Sequence, residues 1–406
     1  MDRLVQKFAA KLISAGLADA DGDARPLVGG LDDELVWNRP GPEIGELRKV
    51  FDGLSINSLV CLQPREPYAT LIEFLAGEAQ VITPKDCETR TFLHDLPVVH
   101  EFEAQAIIGA LNRRKSVIVA SPKAGAAKGP MVIAHGTVSP EQGFAVVSSV
   151  CFASFVKFFA DYLDLLQTGR ATATHNRVFD TVIPHLEELN RKPVQLMTAP
   201  FDTEARVYEA IAQAGRKTVD YRLVDSYFGN ISYCWNHTLY ISQTGSSLDE
   251  LAGCVDPVPL DGSSSAALTA SSELSAHLGV LERTDCRAIL HGHPKFCVIL
   301  SMDCEPGAKA SCAYSDQCHI KCPKPRFVED IPIVPGEVGT GPTGLCHTLP
   351  PAMENRRGAI VYGHGLFTTG RNDFNEAFST LVAVESMCRE KYFESVREFR
   401  HAVAYR

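Results

Sequence analysis

The 406-residue chain has no long apolar run, no excess of positive charge and no leader-like N-terminus. Its most apolar stretch, from Gly143 to Leu166, runs 14 residues before Lys157 interrupts it, and Asp161 and Asp164 follow. A membrane span needs about 20 apolar residues, so this stretch is expected to be a buried helix and no membrane is expected as a partner. The N-terminus, MDRLVQKFAAKLISAGLADADGD, places apolar residues at helical spacing among charged ones. It offers neither the apolar core nor the small-residue cleavage site of a signal peptide. Lys and Arg number 39 against 49 Asp and Glu, a net charge of −10, which argues against a nucleic-acid partner. With 45% apolar and 22% charged residues, the chain lacks the composition of a disordered one. The expectation is a cytoplasmic enzyme of two to three domains, at roughly 150 residues each.

Thirteen cysteines are many, and an odd number argues against a closed disulfide framework. Cys61, Cys151 and Cys297 have apolar neighbours and read as small core residues. Cys304, Cys312, Cys318 and Cys322, by contrast, fall close together with His319 adjacent. In a reducing compartment clustered thiols favour metal over disulfides, so a second, structural zinc or iron–sulfur site is one expectation for this segment. The spacing C-x7-C-x5-C-x3-C fits no standard zinc knuckle.

Two collinear matches suggest an internal repeat. Phe102 to Lys123 resembles Ser272 to His293, each a helix, a turn with Arg and a short apolar strand. The segment around His135 resembles that around His364, each a strand, a His-Gly, a loop and a long helix. This alignment divides the chain into domains 1–175 and 176–406 and leaves a Cys-rich insertion around 302–330 in the second. It also sets Ser121 and Lys123 opposite His291 and His293, so the first copy should hold no metal. Lys85, Asp86, Glu88, Arg90, His94 and Asp95 crowd together between Val81 and Pro97, either as a solvated loop or as a second functional site.

The chemistry concentrates in the second half. His291 and His293 follow the apolar run Ala288-Ile289-Leu290, and residues i and i+2 of a strand point the same way, about 6–7 Å apart. His364 follows a second apolar strand in a His-Gly turn. Three histidines and an open position suit a catalytic zinc, although each could also be an ordinary turn histidine. Ser271-Ser272-Glu273 reads as a helix N-terminus and so as an anion site.

SYFGNIS (226–232), ISQTG (241–245), ASSELSAH (270–277), HGHP (291–294), GEVGTGPTGL (336–345) and GHGLFTTGRNDFNEAF (363–378) follow one another in an order and spacing that resembles the class II aldolase/adducin family, over roughly residues 202 to 395. The resemblance implies an α/β fold, a three-layer α/β/α domain with a central, mainly antiparallel sheet, here tandemly duplicated. It implies that His291, His293 and His364 bind zinc or another divalent metal. Glu273 would be the catalytic acid/base, and Asn230, Thr244, Gly245, Ser271 and Ser272 would hold a phosphate. Tyr314 lies about where the family places a proton-donating tyrosine. The implied activity is aldol or retro-aldol chemistry on a small phosphorylated sugar or aldehyde, with a sugar-phosphate 4-epimerase or dehydratase as the runner-up. The implied assembly is a homo-oligomer, for a fused pair a dimer. A non-catalytic, adducin-like assembly module is the alternative of another class, and the three retained histidines argue against it for residues 202–406.

Overall fold

The computed structural model describes all residues except 78, 121–128, 191, 225–226, 266, 306–310, 316, 338 and 405–406. The chain divides into two units, residues 1–162 with 171–187, and residues 163–170 with 188–406.

The first unit holds seven strands among the described residues: β1 (Leu27–Leu31), β2 (Leu35–Trp37), β3 (Ser58–Leu62), β4 (Val81–Ile82), β5 (Leu96–Val99), β6 (Ser116–Val119) and β7 (Met131–Gly136). They form one sheet in the order β2-β1-β3-β7-β6-β5-β4. Of these, only β5 and β6 pair in parallel. The helices Ile44–Gly53 and Ala104–Leu111 close a core over it with Leu47, Val50, Ile107 and Leu111. The long helix Pro140–Gln167 meets the length and apolarity of a membrane span, and 89% of its most apolar window is buried within the protein. That is the burial expected of the Gly143–Leu166 stretch.

The second unit holds β8 (Asn230–Trp235), β9 (Thr238–Ser242), β10 (Val255–Pro259), β11 (Ala288–Gly292), β12 (Arg326–Val328), β13 (Ile331–Val334), β14 (Gly358–Val361) and β15 (Gly365–Gly370). Their order is β10-β9-β8-β11-β15-β14-β13-β12. Of these, only β13 and β14 pair in parallel. The central strands β11 and β14 are buried throughout, as their unbroken apolar sequences require. The edge strand β10 carries Pro257 and Pro259, which cannot donate to a further neighbour. One core joins Ile289, Ala359, Val361 and Phe367 of the sheet to Ala276 and Val280 of helix Leu274–Arg283 and to Leu345 and Leu349 of helix Leu345–Met353. The long helix Phe374–Ala404 packs against β11 and β15.

With β10 set aside, the two strand orders match one for one, including the position of the single parallel pair. The registers agree as well. Leu27 faces Cys61 as Asn230 faces His291, and Ser58 faces Gly136 as Ala288 faces Gly370. The counterpart of β11 is therefore β3, so Cys61 stands where His291 stands, and Gln63 and Pro64 where His293 and Pro294 stand. The alignment read from sequence instead set β6 against β11. Ser121 and Lys123, the residues it used, lie outside the described residues. Residues 293–330, which contain the Cys-rich segment, join β11 to β13, and residues 63–95, a connection of similar length, join β3 to β5.

Candidate metal centre and active site

Three imidazoles converge at one end of β11. His291 ends the apolar run of the strand, His293 follows it, and His364 lies in the tight turn from β14 to β15, the neighbouring strand. All three are buried, and one ring nitrogen from each lies within 4.8 Å of the others. The Nε2 atoms of His291 and His293 are 3.0 Å apart, and those of His291 and His364 3.3 Å. A tetrahedral zinc with bonds of about 2.0–2.1 Å spaces its ligand nitrogens about 3.3–3.4 Å apart. His291 Nδ1 lies 3.2 Å from the Leu366 carbonyl, which can only accept, so the proton sits on Nδ1 and the Nε2 lone pair faces the cluster. Burial, and next the neighbouring imidazoles, hold His291 and His293 well below the usual imidazole range. Burial also lowers His364, against the opposing pull of Glu273. Neutral, buried and mutually close nitrogens are a donor set that a divalent cation fits.

The walls are close-fitting. Phe367 stacks on His291 at 3.8 Å between centroids, and Phe228 on His293 at 5.6 Å. A Cβ on Gly365 would meet His291 Cε1 at 2.7 Å, His293 Cδ2 at 2.8 Å and the Gly292 carbonyl. Gly229, at φ +90°, has the His291 carbonyl against the face a side chain would need. Glycine is required at both positions.

Glu273 sits at the N-terminal boundary of helix Leu274–Arg283, buried, with Oε1 3.3 Å from His364 Nε2 and Oε2 3.7 Å from His291 Nε2. Asn230 opens β8 beside His291 and donates from Nδ2 to Glu273 Oε2 at 2.6 Å. Ser271 Oγ accepts the Glu273 N–H at 3.3 Å, so this serine stands just ahead of the helix instead of opening it. Ser272 is exposed. Thr244, also exposed, donates to the Ala270 carbonyl at 3.0 Å, and Gly245 takes φ +71°. The Gln243–Ala270 bridge and the Ser271 N–H to Ser242 carbonyl bond bring this turn beside residues 271–272.

Other sequence candidates fall elsewhere. Cys304, Cys312, Cys318 and Cys322 are half-buried free thiols. Among the described residues, the histidine triad is the group of three or more ligand atoms found close enough to hold a metal, and these sulfurs form no such group. Tyr314 donates its N–H to Cys312 Sγ and lies under Lys321. In the charged Val81–Pro97 segment, Lys85 pairs with Asp161, Asp95 with Arg114, and Asp86 caps helix Cys87–Leu93. Sequence reasoning passed over Ser232, His277, Phe228 and Phe367. His277 was legible, because it lies four residues after Glu273 and so on the same helix face.

Residues 209–392 match the family described as Class II Aldolase and Adducin N-terminal domain. No curated protein matches the chain. Similar solved structures include L-fuculose-1-phosphate aldolase from Thermus thermophilus, at 22% identity over 48% of this chain and 98% of that one, TM-score 0.37. YgbL from Klebsiella pneumoniae, described as an aldolase, epimerase or decarboxylase, is 21% identical over 49% of this chain and 100% of its own, TM-score 0.38. A sugar-phosphate aldolase from Thermotoga maritima is 17% identical over 48% and 96%, TM-score 0.34. The portion of the chain that carries the three histidines and Glu273, residues 209–392, belongs to the class II aldolase and adducin family.

Proposed function

We propose that the second unit is a metal-dependent lyase that breaks or forms a carbon–carbon bond in a small phosphorylated sugar. The observation that carries this reading is the placement of the Glu273 carboxylate, 3.3 Å from His364 and 3.7 Å from His291, inside a buried pocket of neutral imidazoles. His291, His293 and His364 would hold a divalent ion, zinc by the donor type, and such an ion supplies Lewis-acid polarisation of a carbonyl oxygen.

The protein's own groups do the rest. When the bond breaks, the hydroxyl on the departing carbon gives up its proton as that carbon becomes the aldehyde. The bond's electron pair stays on the carbon beside the carbonyl, and that carbon must then gain a proton in place of the lost bond. Glu273 is the group placed to deliver it, and in the reverse direction to remove it. The phosphate would lie against Thr244, Gly245, Ser271 and Ser272, where hydroxyls and a glycine-turn amide serve as neutral donors. Asn230 gives one amide hydrogen to Glu273 and keeps the other for substrate.

The matching strand orders and registers of the two units favour a tandem duplication, the first copy having lost the triad. By this reading each copy keeps the three-layer fold, and the fused chain assembles as a dimer. A structural metal at the four clustered cysteines would be a second, independent site.

The test is the zinc-loaded full chain incubated with L-fuculose 1-phosphate and, separately, with dihydroxyacetone phosphate in D2O. Cleavage to two fragments, and exchange of the hydrogen beside the carbonyl, are expected, both lost in Glu273→Gln. A changed C4 configuration without cleavage would mark a 4-epimerase, and loss of water a dehydratase. No turnover and no exchange with metal bound would overturn the lyase reading.

A further inference from the structure

Glu273 is held by a chain of buried hydrogen bonds. Ser232 Oγ lies 2.7 Å from His277 Nδ1, His277 Nε2 lies 2.5 Å from Asn230 Oδ1, and Asn230 Nδ2 donates to Glu273 Oε2 at 2.6 Å. Ser232 and His277 are fully buried, and Asn230 and Glu273 are 6% exposed. The chemistry of the atoms sets the direction. Asn230 Oδ1 can only accept, so His277 Nε2 must carry the proton and Nδ1 must accept from Ser232. Asn230 Nδ2 can only donate, so Glu273 Oε2 is the fixed acceptor at the end.

The first unit shows what this relay is not for. Its helix Ile44–Gly53 is as long as Leu274–Arg283, and each stands five residues ahead of its central strand. The shared spacing puts Glu43 at the position of Glu273 and Leu47 at that of His277. Strand register puts Leu27 at Asn230 and Gly29 at Ser232. The counterpart carboxylate is present, while all three relay positions carry groups that cannot pass a hydrogen bond. Leu27 and Leu47 are fully packed there, so the fold accepts apolar side chains at these places. The relay occurs in the unit that has the histidine triad and is missing from the described residues of the unit that lacks it.

We propose that Ser232, His277 and Asn230 are positioning residues that lock Glu273 Oε2, leaving Oε1, the oxygen beside His364, as the one that moves the proton. This rests on the lyase reading above. Free rotation of the carboxylate would present either oxygen at varying angles, and a proton-transfer group needs one fixed approach. The relay supplies it by holding Oε2.

Two measurements test this. In the full chain with 15N-labelled histidines, His277, assigned by the signals lost in His277→Leu, is expected to be a neutral ring protonated at Nε2, its proton protected from solvent. A ring protonated at Nδ1 would overturn the proposal, and this readout needs no activity. In the dihydroxyacetone phosphate exchange assay, zinc-loaded His277→Leu should keep its KM within about twofold and lose kcat by about 10- to 100-fold. His277→Gln, whose amide can still donate to Asn230, should recover part of that loss. A folded, zinc-loaded His277→Leu chain with wild-type kcat would overturn the proposal. If the wild-type chain catalyses no exchange, the lyase reading falls, whereas the tautomer result still decides the relay.

Discussion

At the scale of single residues, the centre depends on side chains that are absent as much as on those present. Gly365 lets β15 pass against His291 and His293, and a Cβ there would meet both rings. Gly365→Ala is expected to cost about 1–3 kcal/mol through overpacking, seen as a lower Tm, and to weaken zinc binding in equilibrium dialysis. Unchanged zinc affinity would mean that the rings are less tightly seated than these contacts imply. The three histidines were legible as a group only beside the other motifs, because His-x-His after an apolar strand reads equally well as two turn histidines. The phosphate-binding role read for Asn230 was less complete. Only the fold shows that it faces His277 and Glu273, which lie more than 40 residues along the chain.

At the scale of elements, two buried carboxylates anchor helices outside the active site, with different consequences. Glu385 of helix Phe374–Ala404 accepts the N–H groups of Phe296 and Cys297 at 3.0 and 2.9 Å, closing the start of helix Lys295–Ser301 just after His293. Glu385→Ala leaves two buried donors unmet and should cost about 1–3 kcal/mol for each in denaturant unfolding. Asp86 caps helix Cys87–Leu93 by accepting the Thr89 N–H at 2.8 Å. Burial outweighs the bonds from Thr89 and pushes the Asp86 carboxyl up to about 6. Its folded form therefore holds the proton more tightly than its unfolded form. Its contribution is fully present below the unfolded value of about 3.9 and is lost as pH rises through about 6. Asp86→Asn keeps the capping oxygen without the charge. It should therefore stabilise the protein by up to about 3 kcal/mol at pH 7.5 and by little at pH 4. Equal effects at both pH values would show that the carboxyl titrates as an exposed one.

At the scale of the whole molecule, the sequence pointed to a repeat, and the two sheets share one strand order once β10 is set aside. Each unit contains two amphipathic helices that lead into short buried strands, ahead of β3 and β6 in the first and of β11 and β14 in the second. Hydrophobic periodicity cannot tell one such pair from the other, so the sequence sets the helix before β6 against the helix before β11, where strand order sets the helix before β3. The pairing of SLVCLQP with AILHGHP leaves only the final Pro64 and Pro294 identical and sets Cys61 and Gln63 opposite the two histidines. Strand register shows a correspondence that the two sequences do not. The charged Val81–Pro97 segment was ambiguous for a different reason, since Asp161 and Arg114, which neutralise it, lie outside it.

The central claim is a single metal centre built by His291, His293 and His364, with no equivalent in the first unit. Equilibrium dialysis of the full chain against Zn2+, with the cysteines blocked, tests it most directly. One ion per chain in the wild type and none in His364→Ala is the predicted result. Two ions per chain, none, or one that survives His364→Ala would contradict it.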